Sequence, residues 1–447
     1  MCTNCNDPGT ENPGSQSAEH LGRVVTRRLV LGGLAGSAVL LGSGGPAMAS
    51  PPLASPSKPD NRPAHLELVL LGTRAGPPID PYRAGTASAL VVDGSTYLVD
   101  CGRAAVTQYV RAGLSLRSMR AIFLTHLHAD HVADYYNFFL LGANPPNQLG
   151  DNMPDHTDVY GPGRAGGLPP KFGGGDAPTV NPASPTPGIA DLTNFCHDAY
   201  AYNSNVFIRD TGIRDIRNLA TVHEIALPDV GANYQNTAPT MQPFPVMQDD
   251  KVRVTAILVP HGPVFPSFAF RFDTEYGSVT FSGDTTFTPN IPTLAKNTDI
   301  LVHEAINLEG FTGPPAIIRH QVTSHTPVQK VGGVAQAAGA KRLVLSHIAD
   351  LTQDPIDARK WTAWAQQGYG GRVDIGEDLQ RIQSGGSGAT PSGGAATGGG
   401  GASGGRDTGL LIGGAVAAAG AAAAAGAYRH GRKTAADGVV EGVDHAQ

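Results

Sequence analysis

The chain is poor in cysteine and in charge. Four cysteines in 447 residues are too few for a disulfide scaffold, so a packed core has to hold the fold. Cys2 and Cys5 form a C-x-x-C, but they stand at the extreme N-terminus ahead of any strand or helix pattern, where leader cysteines are the simpler reading. Cys101 and Cys196 either pair or remain two free thiols, and the sequence leaves both open. Only 16% of residues are charged and the net charge is −6, which excludes a basic nucleic-acid-binding surface spread over the whole molecule and leaves room only for a local patch. In surplus are 58 glycines and 35 prolines, about a fifth of the chain against an ordinary share of roughly 12%. Hydrophobic residues still make up 40%, enough for one large core. The surplus must therefore be concentrated in particular segments.

The two ends take part of it. Thr26-Arg27-Arg28-Leu29-Val30-Leu31 precedes an uncharged run that ends in Ala47-Met48-Ala49. That pattern predicts a twin-arginine export signal over 1–49 with cleavage after Ala49. A Pro-rich lead-in follows over 50–65. At the other end, 384–406 is almost entirely Gly, Ser, Ala and Thr, the composition of a flexible tether. Leu410 to Tyr428 then carries no charge and is followed by Arg429, Arg432 and Lys433; at 1.5 Å per residue such a run spans about 28 Å, near the thickness of a bilayer core. The segment 407–433 is accordingly expected to anchor the chain in a membrane, with its basic stop in the cytoplasm and a short tail over 434–447. The main domain would then be exported, extracytoplasmic and tethered at the cell surface.

That domain covers 66–383. Short apolar runs recur at 66–71, 88–92, 96–100, 121–124, 158–160, 252–259, 268–272, 279–282, 299–302 and 343–345, with a hairpin signature at Asp93-Gly94-Ser95. Helical patterns lie between some of them, at 104–112, 131–141 and 327–338. Strands that begin in hairpins and then alternate with helices indicate an α/β architecture of sheets covered by helices. Residues 161–247 break that rhythm. They are rich in Pro and Gly, show one plausible helix around 191–209, and read as an insertion near a site. The insertion carries Arg164, Lys171, Arg209, Arg214 and Arg217 against Asp176, Asp191, Asp198, Asp210, Asp215, Glu224 and Asp229, so it is mildly acidic.

The chemistry concentrates after one strand. Ala121-Ile122-Phe123-Leu124 runs into Thr125-His126-Leu127-His128-Ala129-Asp130-His131, which gathers three imidazoles and a carboxylate where the chain must turn. Imidazole nitrogen with carboxylate oxygen suits zinc, whereas a hard cation would demand more oxygen.

This motif resembles the metallo-β-lactamase superfamily. The resemblance implies an αββα sandwich, here with a long loop and helix insertion, and metal ligands at strand ends. Further candidates do follow apolar strands: His261 after 257–259, Asp284 after 279–282, His347 after 343–345. By resemblance, one of two zinc ions takes His126, His128 and His261, the other takes Asp130, His131 and His347, and Asp284 bridges them. Asp100, in Leu98-Val99-Asp100-Cys101-Gly102, matches the family's buried aspartate beside the metals rather than a ligand. Leu71-Gly72-Thr73, Arg83-Ala84-Gly85, Val159-Tyr160-Gly161-Pro162, Leu301-Val302-His303-Glu304-Ala305 and Ser324-His325-Thr326 look like the ribonuclease Z branch, especially its arylsulfatase-like members. An Asp at 284 speaks against the true β-lactamases, and the His325 element against glyoxalase-type thioesterases.

The resemblance implies a hydrolase in which a hydroxide shared by two zinc ions attacks an ester, with Asp130 and Asp284 orienting it and His325 protonating the leaving oxygen. His303, Glu304 and Arg83 are further candidates around the substrate. The expected substrate is a small extracytoplasmic sulfate or phosphate ester, arylsulfatase-like first and ribonuclease Z-like phosphodiester second. Export and the acidic insertion speak against nucleic acid, and Ala129 stands where ribonucleases Z commonly have glycine before the motif's aspartate. A non-catalytic, surface-tethered metal-binding protein is the alternative of another class, and a homodimer stays open.

Overall fold

The apolar runs that open the domain become an antiparallel meander of β1 (Leu66–Gly72), β2 (Ala87–Val92) and β3 (Ser95–Val99). Asp93 and Gly94 both take positive φ, 45° and 76°, and this two-residue turn pairs Val92 with Ser95. The computed structural model describes residues 65–143 and 151–383. After β3 the chain crosses over through helices. α1 (Ala105–Arg111) leads to β4 (Met119–Phe123), α2 (Ala129–Val132) and α3 (Tyr135–Gly142) come before β5 (Thr157–Gly161), and α4 (Ile189–Ala199) with α5 (Ala201–Asp210) before β6 (Ala220–Glu224). From β3 to β6 each strand lies parallel to the next.

The second half repeats this plan. β7 (Phe244–Gln248), β8 (Arg253–Leu258), β9 (Phe268–Thr274) and β10 (Gly277–Phe281) are antiparallel. Then α6 (Asn290–Leu294), β11 (Ile300–Asn307), α7 (Pro315–Ser324), α8 (Val328–Ala338), β12 (Arg342–Asp350), α9 (Ala358–Ala365) and β13 (Arg372–Ile375) follow, with β10 to β13 parallel. β14 (Gln380–Gln383) returns to pair with β1. The described residues thus form two seven-stranded sheets, β14-β1-β2-β3-β4-β5-β6 and β13-β12-β11-β10-β9-β8-β7.

Side chains alternate between two cores. Leu66, Leu68 and Leu70 of β1 lie between the sheets with Phe268, Phe270 and Phe272 of β9. The Phe123 ring spans that interface, with its centroid 5.6 Å from that of Phe270 and 5.0 Å from that of Phe272. Val69 and Leu71 face the other way, into a core shared with Tyr109 of α1 and Phe138 of α3. On the outside of the second sheet, Val331, Val334 and Ala335 of α8 pack with Trp361 of α9. Strands covered on both faces read as continuous apolar runs, which is why the sequence showed runs rather than alternation. The layers are helix, sheet, sheet, helix, the αββα sandwich expected.

Several boundaries differ. The segment 161–247 is only partly outside the sheets, because β6 and β7 within it are edge strands of the first and second sheet. Its helix is two helices that meet at Tyr200, and the helix expected at 131–141 likewise divides into α2 and α3. β11 and β12 run on past their apolar cores to Asn307 and Asp350. Cys101 and Cys196 are free thiols, Cys101 buried. The export signal, nearly all of the lead-in, the tether, the membrane anchor and the tail fall outside the described residues. Among the described residues no helix is long and apolar enough to cross a membrane.

Candidate metal centre

The histidine motif changes conformation half-way along. His128 is extended (φ −67°, ψ 151°) and α2 begins at Ala129, so His126 and His128 leave an extended stretch while Asp130 and His131 leave a helical turn. One six-residue segment can therefore supply two clusters. His261 lies just beyond β8 in a tight turn closed by Val264 N donating to the His261 carbonyl at 3.0 Å. Asp284 lies just beyond β10, after Gly283, whose φ is +57° and whose missing Cβ would fall 2.4 Å from the Phe268 carbonyl oxygen. His347 is inside β12, not after it. The β11–β12 register slips between His303 and Ala305, which pair with Leu345 and Ile348, and His347 takes φ 58° in that bulge. Bulges re-aim side chains, and this one brings His347 to the ligands of the first sheet.

Two clusters result. His126, His128 and His261 form the first, with His128 Nδ1 3.1 Å from His261 Nε2. Asp130, His131, Asp284 and His347 form the second, with Asp130 Oδ2 3.5 Å from His131 Nε2 and 3.2 Å from His347 Nε2. Asp284 Oδ2 stands between them, 3.1 Å from His347 Nε2, 3.3 Å from His131 Nε2, 3.7 Å from His261 Nε2 and 3.8 Å from His126 Nε2. All of these residues are buried except His128, which is partly exposed. His126 Nε2, His131 Nε2, Asp130 Oδ1 and Asp284 Oδ1 are buried without a hydrogen-bond partner among the described residues. Buried polar atoms are almost always satisfied, and inward-facing lone pairs of nitrogen and oxygen are satisfied by a cation.

The electrostatics agree. Burial, helped by neighbouring imidazoles, holds His126 well below the usual histidine range. It pushes His128 down to about 4 and His261 down to about 3, against the pull of Asp284. These rings are neutral at physiological pH, the form that ligates metal. At His131 burial acts downward too, but Asp284, Asp100 and Asp130 outweigh it and raise the group well above its ordinary value. A divalent cation bound there would take the place of the proton those carboxylates favour on His131. Asp284 is kept ionised by His347 and His131 despite its burial.

Neighbouring groups set which nitrogen faces inward. Asp100 Oδ2 accepts from His131 Nδ1 at 2.8 Å, while its Oδ1 accepts from Thr125 N at 2.8 Å. His261 Nδ1 donates to the Ser324 carbonyl at 2.9 Å. Both rings are thereby oriented with Nε2 toward the clusters. Gly76 N donates to Asp130 Oδ2 at 3.0 Å.

The pattern described as the Metallo-beta-lactamase superfamily matches residues 81–145, a stretch that carries Asp100 and the whole histidine motif. Over that stretch the chain is similar to the metallo-β-lactamase superfamily. Over 320 residues it is similar to the ribonuclease Z of Mycobacterium bovis (strain BCG / Pasteur 1173P2), 28% identical, covering 71% of this chain and 98% of that protein. The ribonuclease Z of Mycobacterium avium (strain 104) is 29% identical with 71% and 98% covered. Among solved structures it is similar to the short form of human tRNase Z, 21% identical, covering 71% of this chain and 99% of that one, with a TM-score of 0.47.

The metallo-β-lactamase fold implies divalent metal, and the donors present fit it: five imidazoles and two carboxylates converge, several of their atoms otherwise unpartnered among the described residues. A cavity of about 30 Å³ bounded by His131, Asp284, Glu304 and His347 lies at the same place. Other expected residues divide. Glu304 and His325 belong to the site, with Glu304 Oε2 3.4 Å from His325 Nδ1 and Glu304 Oε1 accepting from Thr326 N at 2.7 Å. Burial acts downward on His325, but Glu304 above all outweighs it and raises the imidazole. Arg83 is not at the clusters of possible ligands. Its Nη1 donates to Thr73 Oγ1 at 2.6 Å and to the Gly376 carbonyl at 2.7 Å, fastening its loop to the chain just before β14. His303 is buried in β11 with Nδ1 donating to the Glu304 carbonyl at 2.6 Å, outside the clusters of possible ligands. The sequence reading missed His320 of α7, half-buried, whose ring centroid is 6.0 Å from His325 and 6.2 Å from His261. No apolar strand precedes it to mark it as a site residue.

Proposed function

We propose that this chain is a zinc-dependent phosphodiesterase related to ribonuclease Z, with two ions held by His126, His128 and His261 and by Asp130, His131 and His347. The observation that carries this is the place of Asp284 Oδ2, within 3.8 Å of four imidazole Nε2 atoms drawn from both clusters. When bound, such a metal pair supplies Lewis acidity toward a phosphoryl oxygen and a water acidic enough to be a nucleophile near neutral pH. The chain's own residues do the rest. Asp130 and Asp284 accept hydrogen bonds from the attacking water and orient it. Glu304 holds the Nδ1 side of His325, which leaves Nε2 to protonate the departing oxygen.

The order of ester classes expected from the sequence is reversed. Curated relatives named ribonuclease Z, similar over 71% of the chain, favour a phosphodiester. A sulfate ester is the second reading, supported by Ala129 in the histidine motif and by the single negative charge both esters carry. Under this reading the export signal and anchor expected at the chain's ends put the activity outside the cytoplasm.

The test uses purified full-length protein: bound zinc by elemental analysis, then turnover of bis(4-nitrophenyl) phosphate beside 4-nitrophenyl sulfate, with Asp284→Ala as control. Phosphate cleavage that disappears in the variant is expected. Preference for the sulfate promotes the second reading, and zinc-loaded protein inert toward both returns the chain to a non-catalytic metal-binding role.

A further inference from the structure

A cavity of about 210 Å³ lies beside the first histidine cluster. Three stretches of chain wall it: 162–169 and 185–187 from the segment between β5 and β6, and Pro263–Pro266 directly after His261. Leu127 and His128 complete it. His128 therefore faces His261 through Nδ1 and also borders the cavity, which puts any occupant next to the metal centre.

The lining is chemically narrow. It contains no Asp, Glu, Lys or Arg, and outside His128 and Thr186 it consists of prolines, glycines and apolar side chains. Proline has no N–H to donate, so the walls offer broad apolar faces and little hydrogen bonding. The covering segment is braced within itself and against α7. Arg164 Nη2 donates to Asp191 Oδ1 at 2.6 Å, and the Phe172 ring lies under the Arg319 guanidinium of α7, 5.3 Å from ring centre to Cζ. An apolar cavity of about 150 Å³ takes up benzene, so this one has room for a substituted phenyl ring.

We propose that this cavity seats the uncharged, aromatic leaving group of a small phosphodiester, an assignment that rests on the phosphodiesterase reading above. A polynucleotide continuing past the scissile bond would bring another phosphate with each nucleotide, and proteins meet those with Lys, Arg and backbone donors. This cavity has no such cation. The specificity would come from Leu168, Pro169, Val264 and Phe265 as apolar walls, with the charged part of the ester left at the metals.

The probe is 4-nitroanisole, an uncharged aromatic with no group to ligate zinc, titrated into zinc-loaded full-length protein and followed by ligand-observed NMR. Leu168→Asp and Thr186→Glu place a carboxylate in two separate walls, at partly exposed positions where the fold tolerates charge. Saturable binding by the wild type is expected, weakened about tenfold or more in each variant because a seated ring would strip water from the introduced carboxylate. KM for bis(4-nitrophenyl) phosphate should rise in step while bound zinc is unchanged, and the wild type should prefer that ester to an RNA dinucleotide. No binding by the wild type, equal binding by both variants, or preference for the dinucleotide overturns the proposal. If the probe binds and the carboxylates remove it while no ester is turned over, the aromatic site is upheld and the phosphodiesterase reading alone falls.

Discussion

Asp100 touches no possible ligand atom except through a proton. It sits at φ 60°, a conformation non-glycine residues rarely take, and accepts from His131 Nδ1 and from Thr125. Strain of this kind persists where surrounding structure holds it, commonly at functional sites. Asp100→Asn keeps the shape and removes the charge that favours His131 as a ligand. Zinc affinity should fall by about 10–100-fold, read by competition with a chromophoric chelator, and unchanged affinity would show that Asp100 merely fills space. At His325 the decisive readout is the leaving group. His325→Ala should lower kcat by about 10²–10⁴-fold for an ester whose leaving alcohol is weakly acidic, and much less for a nitrophenyl ester, which departs without a proton. Equal losses on both would remove His325 from proton donation.

The strands that carry the ligands were legible because each is an apolar run ending abruptly in His or Asp. β4 into His126, β8 into His261 and β10 into Asp284 all follow that rule. His347 obeys a different one. It lies within β12, and the bulge that turns it inward leaves no mark in sequence, since no glycine stands at the positive-φ position. β6 and β7 were hidden for another reason. Both are half-exposed edge strands, Ala-Thr-Val-His-Glu and Phe-Pro-Val-Met-Gln, without a continuous apolar run. Pro245 in β7 is tolerated because an edge strand has a side that needs no ladder donors. The 30 Å³ space and the roles of Arg83 and His303 depend on side-chain directions that residue spacing does not encode. Gly283 is the element-scale test. Its positive φ and the approach of the Phe268 carbonyl leave no place for a methyl group, so Gly283→Ala should cost about 1–3 kcal/mol. Urea unfolding would read that cost, together with a fall in bound zinc as Asp284 is displaced. A variant as stable and as well loaded as the wild type would contradict this account of the β10 loop.

At the scale of the whole molecule, the donor groups come from both sheets. His126, His128, Asp130 and His131 follow β4 of the first, while His261, Asp284 and His347 belong to the second. Metal should therefore stabilise the entire sandwich and not just one loop. Free zinc at about a hundred times its Kd adds roughly 2.7 kcal/mol when only the folded state binds. Calorimetry with and without chelator should show a lowered Tm that zinc restores, and superimposable curves would mean that the sheets hold together without it.

The bulged strand β12 has a consequence for the order of events during synthesis. The donors span the chain from residue 126 to residue 347, and the last of them reaches its position only when β12 has docked beside β11. A nascent chain that has emerged as far as the histidine motif can offer at most an isolated, weak site, and contacts between such distant residues are the slow ones in folding. Metal capture is thus a closing event. A chain cut short anywhere before β12 would lack the second cluster, however well its first sheet had formed.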